Sequence, residues 1–516
     1  MFDEQRVRRV VPRWRSSKVT SSTIEAWTKP SRTSLSFDDE VARKLTEFEA
    51  LKSVPVAAEL MFLASEAGNS IAAKIAAAAI VEKADKIGTT QLIRIAKRVL
   101  GAETDEHIGA AATDFVRDAR RLLAIDFRNP VLLMDVAREL TARRQERAAL
   151  RYVRAAAGMA PESRFVVRSA ARYYLHVGDH EQAHHLLRAS PLIATDPWVQ
   201  ASEIAVATVR GRASALARQA GRFLAAQKVV ARDTTELASA IANVELLSGA
   251  EKRAKQLFQK ALASPNDNSL AQAEWAAARL KLVVDDSALS TPFSFEANSN
   301  NAYRRLEIDD AIKHAKFWGE DEPFASRPFS ALCYFYCLEG KYEDAHIAAR
   351  TAATLDGHSF GTELNLCFTR IQCGELEAAF EDIVRLGKNS EAKTYATHLL
   401  ANWGALAYAA GEIDIGRQAY QQAIRSARAR NLTSTEALAR AYFARAATLA
   451  GDPEAPTIVS EAATGVQRLP SPGAIYMMQS LASADERKRL EAAASARVAT
   501  RKWEWDAARN TLHMLD

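Results

Sequence analysis

Cysteine is almost missing from this chain: 516 residues hold four, Cys333, Cys337, Cys367 and Cys373. So few cannot build a disulfide framework, and they suit a reducing compartment. Long apolar runs are missing too. No stretch approaches the roughly 20 residues that span a bilayer, so no membrane partner is expected. No apolar stretch follows the first charges, so no secretory signal is expected. The N-terminus is rich in Arg, Ser and Thr, as a mitochondrial transit peptide is, but Asp3 and Glu4 speak against one, and the cytoplasm is the expected location. Signatures of chemistry are also lacking. There is no phosphate-binding G-x-x-x-x-G-K-[ST], no G-x-G-x-x-G after a strand, no G-x-S-x-G elbow and no C-x-x-C pair. No cofactor is expected. Charge of one sign is weak: the net charge of +5 falls short of what argues for nucleic acid by itself.

What is present is a foldable chain, 48% hydrophobic and 25% charged, too long for one ordinary core. Residues Met1 to Ser36 stand apart in composition. RVRRVVPRWRSSK gathers Arg6, Arg8, Arg9, Arg13, Arg15 and Lys18 around Trp14, and Ser/Thr clusters, Trp27 and Pro30 follow. No helical period is visible, so this tail is expected to be extended or disordered when alone. Arg13, Trp14 and Arg15 are candidates for docking on a partner protein or along phosphate. From Phe37 an Ala-rich helical pattern begins and continues almost to the end, and strand-like alternation is nearly absent.

That pattern repeats. Ala149, Ala183 and Ala217 fall 34 residues apart, Ala254 follows after 37, and Ala345 and Ala379 are again 34 apart. Gly416 continues the series in the alanine's place. A second small residue recurs upstream at Ala137, Ala171, Ala205, Ala242, Cys333, Cys367 and Gly404. Glycine closes the first helix at Gly178, Gly249, Gly340, Gly374 and Gly411. A larger apolar group follows the alanine at Val153, Leu187, Phe258, Ile383 and Tyr420. Antiparallel helices approach closely only where side chains are small, and crowding such a site costs roughly 1–3 kcal/mol. Glycine accepts the left-handed conformation that ends a helix.

These offsets resemble the tetratricopeptide repeat family, best over residues 91–430. The resemblance implies an all-α solenoid, a superhelix of helix pairs whose first helices line a groove that grips a partner. The expected organisation is a tail over 1–36, an array over 37–281, a loop or hinge over 282–301, where Pro, Ser and Asn interrupt the pattern, and a second array over 302–516.

The repeat register also answers a tempting motif. His180-Glu181-Gln182-Ala183-His184 fits H-E-x-x-H, in which two histidines hold zinc and the glutamate activates water. Here Ala183 is the packing alanine, and Glu181 sits where Glu343 and Glu377 sit in other copies. A metal-dependent hydrolase at His180, Glu181 and His184 is therefore the weaker alternative, and no catalysis is expected. Cys333 and Cys367 hold equivalent places in adjacent repeats, about 10 Å apart by helix packing and beyond disulfide reach. Both are expected as small core residues.

Transferred by position, the family's groove-facing residues become Met134, Arg138 and Thr141, then Phe165, Arg168, Arg172 and Leu175, then Asn243. Ser330, Tyr334, Leu364, Phe368, His398 and Tyr408 follow. Thirteen arginines against six acids between Arg117 and Arg172 give a local positive field. The Lys/Asn clamp by which some members hold chaperone tails is not found at Arg168 and Arg172. The expected function is a protein–protein interaction scaffold or adaptor inside a larger assembly, with Arg138, Arg168 and Arg172 holding an acidic partner segment. Phe165, Tyr334, Phe368 and Tyr408 supply the apolar ground. Nucleic acid bound along the solenoid is a second candidate partner. A peptide sensor hinged at 282–301 and regulating a partner enzyme is a third reading.

Overall fold

The computed structural model describes residues 12–15, 37–66, 69–83, 90–101, 112–125, 129–225 and 231–483. Among them every regular element is helical. The chain opens with α1 (Phe37–Leu51), α2 (Val54–Glu66), α3 (Ser70–Glu82), α4 (Thr90–Val99) and α5 (Ala112–Ile125). The repeat pairs begin with α6 (Pro130–Ala142) and α7 (Glu146–Met159), then α8 (Arg164–His176) and α9 (His180–Ala189). Next are α10 (Pro197–Val209) and α11 (Leu216–Ala225), α12 (Ala231–Leu247) and α13 (Glu251–Ala261), and α14 (Asp267–Leu280). After α15 (Asp286–Leu289), α16 (Phe295–Arg304) and α17 (Ile308–Asp321), pairing resumes with α18 (Ser326–Glu339) and α19 (Tyr342–Leu355). The last elements are α20 (Phe360–Gln372), α21 (Leu376–Gly387), α22 (Ala396–Ala409), α23 (Ile413–Ala429), α24 (Thr433–Leu449), α25 (Ala455–Arg468) and α26 (Pro472–Ala482).

Local chemistry starts and stops these helices. Asn129 accepts from the Leu132 amide at 2.9 Å and Pro130 opens α6, where its missing N–H is no loss. Asp179 caps α9 through the Gln182 amide at 3.0 Å. Gly340, at φ 69°, ends α18 in the left-handed region that glycine enters without strain.

The alignment alanines are where the pairs meet. Ala149, Ala183, Ala254, Ala345 and Ala379 are all 0% exposed; Ala217 alone is half-buried. Their apolar partners Val153, Leu187, Phe258, Ile383 and Tyr420 are buried with them. Each pair packs within itself, and successive first helices also pack on one another: α6 on α8, α8 on α10, α10 on α12 and α12 on α14. The same holds for α18 on α20, α20 on α22 and α22 on α24. This is the packing of a tetratricopeptide-like solenoid.

The chain divides into two compact units. The N-terminal unit takes the described residues up to Asn298 together with Glu320–Phe324, and the C-terminal unit takes Ser299–Gly319 and the described residues from Ala325 on. The division falls inside α16, close to the end of the interval expected to be a loop. That interval differs from the expectation: it carries α15 and the start of α16. Its polar residues are structural. Ser294 Oγ and Asn298 Nδ2 each donate to the Leu289 carbonyl at 3.1 Å, so Ser and Asn that read as loop composition tie two helices together.

Residues 12–15 of the tail, expected to be extended or disordered when alone, form a docked segment with Trp14 buried. The rest of residues 1–36 lies outside the described residues.

Candidate interaction site

The docked segment identifies the site. In an extended chain alternate side chains point to opposite sides. Arg13 and Arg15 share one side and Trp14 takes the other. Around the arginines the N-terminal unit places four carboxylates. Asp267 opens α14, Glu296 lies in the first turn of α16, and Asp321 and Glu322 follow one another in the Glu320–Phe324 stretch.

Arg13 Nη2 donates to Glu296 Oε2 at 2.6 Å, and its Nη1 pairs with Glu322. Its Nε lies 3.1 Å from Asp267 Oδ2. Arg15 Nη2 donates to Asp267 Oδ2 at 2.8 Å and to Asp321 Oδ2 at 3.1 Å. Arg15 Nε reaches Asp321 Oδ1 at 3.2 Å, and the guanidinium lies 4.8 Å from the Phe293 ring centre. Burial works to lower the pKa of both arginines, but the acids outweigh it, Glu322 and Asp267 for Arg13 and Asp267 and Asp321 for Arg15, so both are raised. Their charge is fixed at any working pH.

On the other side Trp14 is 0% exposed. Its ring meets Phe324 at 5.4 Å and Tyr173 edge-on at 6.2 Å. Arg138, 1% exposed, holds the segment's backbone: its Nε donates to the Trp14 carbonyl at 3.0 Å and its Nη2 to the Asp321 carbonyl at 2.7 Å. Arg172 stacks 5.1 Å from the Phe324 ring centre. His176 also packs on that ring at 5.8 Å, and burial, then Arg172 and Arg144, push its pKa down to about 4.

The structure thus brings together Arg13, Trp14, Arg15 and Arg138, with Arg172 alongside. Their roles differ from the expectation. Arg138 does not present its fork to solvent; it bonds backbone carbonyls. Arg168 is also buried, donating to Glu236 Oε2 at 2.5 Å and to Ser202 Oγ at 3.2 Å, with Trp198 stacked 4.8 Å away. Arg164 pairs with Asp196 at 2.5 Å in the same interior. Carboxylates of later repeats neutralise these arginines, Asp196 one repeat on and Glu236 two. Phe165 is buried in the apolar cluster that also holds Trp14 and Met134.

In the C-terminal unit, Tyr334 is buried with its hydroxyl 2.9 Å from that of Tyr303, and Tyr408 is buried and donates to Asp452 Oδ2 at 2.8 Å. Phe368 is half-buried against Tyr442 at 5.1 Å. These three are packing residues there. Composition alone could not identify the acids: Asp267, Glu296, Asp321 and Glu322 are separated in sequence, and only the run Glu320-Asp321-Glu322 beside Phe324 hinted at a complement to Arg13-Trp14-Arg15.

At the H-E-x-x-H string, Glu181 Oε1 accepts from Arg210 Nε at 2.9 Å, which holds the carboxyl below its ordinary range. His184 Nε2 lies 3.1 Å from Glu203 Oε1. Among the described residues no group of three or more His, Cys, Asp or Glu is placed to hold a metal ion. Cys333, Cys337 and Cys367 are buried and free, and Cys373 is half-buried. No helix among the described residues is long and apolar enough to cross a membrane.

A second polar feature lies in the C-terminal unit. A cleft of about 740 Å³ opens between the turn joining α23 to α24 and the end of α25, lined by Arg428, Arg440, Arg468, Thr433, Ser460 and Glu436 among others. Glu436 Oε1 accepts from Arg428 Nη2 at 2.9 Å and Arg440 Nη2 at 2.8 Å. Burial works to raise its pKa, and the two arginines prevail and lower it.

No protein-family model and no curated protein matches the chain. Solved structures similar to it include the human IFIT1 dimer with PPP-AAAA, at 14% identity and TM-score 0.37 over 74% of this chain and 94% of that one. Others are the APC/C hetero-tetramer Cut9-Hcn1, at 12% identity and TM-score 0.31 over 88% and 98%, and yeast Tom70, at 12% and 0.31 over 90% and 92%. The superpositions are loose, and the fold is read from the chain's own repeat geometry. The described chain is an all-α array of tetratricopeptide-like helix pairs.

Proposed function

We propose that this chain is a non-catalytic interaction scaffold that holds an extended peptide segment across the first helices of its N-terminal unit. The observation that carries it is the seating of Pro12–Arg15 against α6, α8, α14 and α16, with Trp14 sealed from water. A single large aromatic in a desolvated pocket, rimmed by ion pairs, is the anatomy of an interaction hot spot. The test is affinity capture from the native host with the wild-type chain and with Tyr173→Ala/Phe324→Ala. Proteins lost from the variant while it keeps its helicity support the reading. An unchanged set places the binding surface elsewhere. Reversing Arg168 would be a poor test, because it would strand Glu236 and report on folding.

A second reading, an acidic partner segment, is favoured by one observation, the cleft lined by Arg428, Arg440 and Arg468. Arg presents a fork suited to carboxylate. Titrating an oligoglutamate peptide against wild type and Arg428→Glu/Arg468→Glu decides it: binding lost in the variant supports the cleft, and equal binding removes it. The same titration with single-stranded RNA addresses nucleic acid, where affinity must fall steeply with added salt.

A further inference from the structure

We propose that the groove of the N-terminal unit selects segments of the pattern Arg–aromatic–Arg, and that Pro12–Arg15 is a built-in occupant which a partner of this chemistry must displace. The inference rests on the scaffold reading above and adds to it the identity of the guest.

The charge of the groove dictates the charge of the guest. Asp267, Glu296, Asp321 and Glu322 are all buried. Removing Arg13 and Arg15 would take from these carboxylates the two cations that meet them and leave buried charge less compensated, a state proteins avoid. Their placement specifies arginine over lysine. Arg13 bonds two different carboxylates through its two Nη atoms with a third within ion-pair distance, and Arg15 meets two. A planar guanidinium fork does this, and a single ammonium point charge does not. The spacing follows from strand geometry: residues two apart share a side, so the two arginines reach the acids while the residue between them turns to Tyr173 and Phe324. That middle residue is read as a ring. Among the described residues the buried indole Nε1 of Trp14 has no acceptor, so Phe or Tyr loses no hydrogen bond to them there. Among the described residues the backbone is read by Arg138 at the Trp14 carbonyl, which every amino acid offers.

The occupant belongs to the same chain, joined to α1 through residues 16–36. A tethered ligand acts at an effective concentration of order millimolar, so a free peptide competes poorly against it. The groove is therefore closed to weak guests and open to a partner that brings a stronger copy of the motif or removes the tether's advantage.

The experiment is fluorescence anisotropy with a labelled peptide spanning Val10–Ser17, titrated with the full-length chain. Wild type is expected to bind it at least tenfold more weakly than the full-length variant Arg13→Glu/Trp14→Ala/Arg15→Glu, whose own segment no longer fits. Against that variant, a peptide with Trp14→Ala is expected to lose about tenfold or more, Trp14→Phe little, and Arg13→Glu/Arg15→Glu all measurable binding. If the triple variant fails to fold, Trp14→Ala alone, which keeps both arginines, is used with the same direction expected. Equal binding of the native and Glu-substituted peptides, or tighter binding of the latter, overturns the selectivity and leaves the scaffold reading standing. No binding by a folded, emptied variant overturns the proposal itself. Peptide selectivity intact, with host capture insensitive to Tyr173→Ala/Phe324→Ala, would instead break the scaffold reading alone.

Discussion

The two units are built on the same repeat and weight its interior differently, although both bury charged groups, among them Glu363, Glu436 and Arg445 in the C-terminal one. In the N-terminal unit the first helices bury ions: Arg164 with Asp196, Arg168 with Glu236, and the carboxylates that meet Arg13 and Arg15. In the C-terminal unit the corresponding helices bury rings against glycines. Gly404 lies under the Tyr420 ring and Gly416 under the Tyr408 ring so closely that a Cβ on either would stand 2.6 Å from the facing ring carbon. Tyr420 also stacks on Phe443 at 5.3 Å. The spacing of small residues sets how helices pair. It leaves the outer side of each first helix free, and that is where the units diverge and where the N-terminal unit acquires a groove that needs a cationic guest.

The largest expected effect is on the ionic side. Arg168→Ala strands Glu236 in the interior and should cost about 3–5 kcal/mol, read as a shift in denaturation midpoint. The double change Arg168→Met/Glu236→Leu should recover most of it. If the single change is silent, the pair is solvated and the contrast between the units fails. Next, Gly416→Ala in the aromatic unit should cost about 1–3 kcal/mol by overpacking against Tyr408, measured the same way. A neutral result would show that the ring can swing aside.

The pH response sharpens the comparison further. His176 in the N-terminal unit and His398 in the C-terminal unit are both pushed down to about 4, chiefly by burial. Between about pH 6.5 and 4 the unfolded chain takes up protons that the folded chain refuses, so stability falls as pH falls through that window. Urea titrations at pH 7.5 and 5 should show it, and His176→Phe should reduce the difference. Below the window a further loss is expected from the C-terminal unit. Burial opposes ionisation of Asp452, but Arg417, the Glu454 amide and Tyr408 prevail and depress its carboxyl, and stability held above the ordinary carboxylate range is lost as pH falls through the lowered value. The smallest expected effect is at the H-E-x-x-H string. Glu181→Gln weakens the pair between the exposed Glu181 carboxylate and Arg210 and should leave the melting temperature within error.

The pairing of helices was legible in the sequence because it is written in small residues at a fixed interval, and Ala149, Ala183, Ala254, Ala345 and Ala379 are packed as that interval requires. The polar chemistry was half legible. Arg13-Trp14-Arg15 drew attention as a contact segment, but its receptor could not be read, because Asp267, Glu296 and Asp321 come together only when helices far apart in sequence fold side by side. Arginine density around Arg138 and Arg168 pointed to an acidic guest; Arg168 instead meets the chain's own Glu236, and Arg138 bonds the backbone carbonyls of Trp14 and Asp321. The break near 282–301 misled for a related reason: Ser294 and Asn298 carry loop composition but bond helix carbonyls.

Limited trypsin digestion of the full-length chain tests the central claim most directly, because the bonds after Arg13 and Arg15 are substrates only when the segment leaves its groove. The account predicts that both bonds resist cleavage in wild type and are cut promptly in Glu296→Lys/Glu322→Lys, while the rest of the fold stays intact. Prompt cleavage at Arg13 and Arg15 in wild type, at the same rate as in the variant, would contradict it.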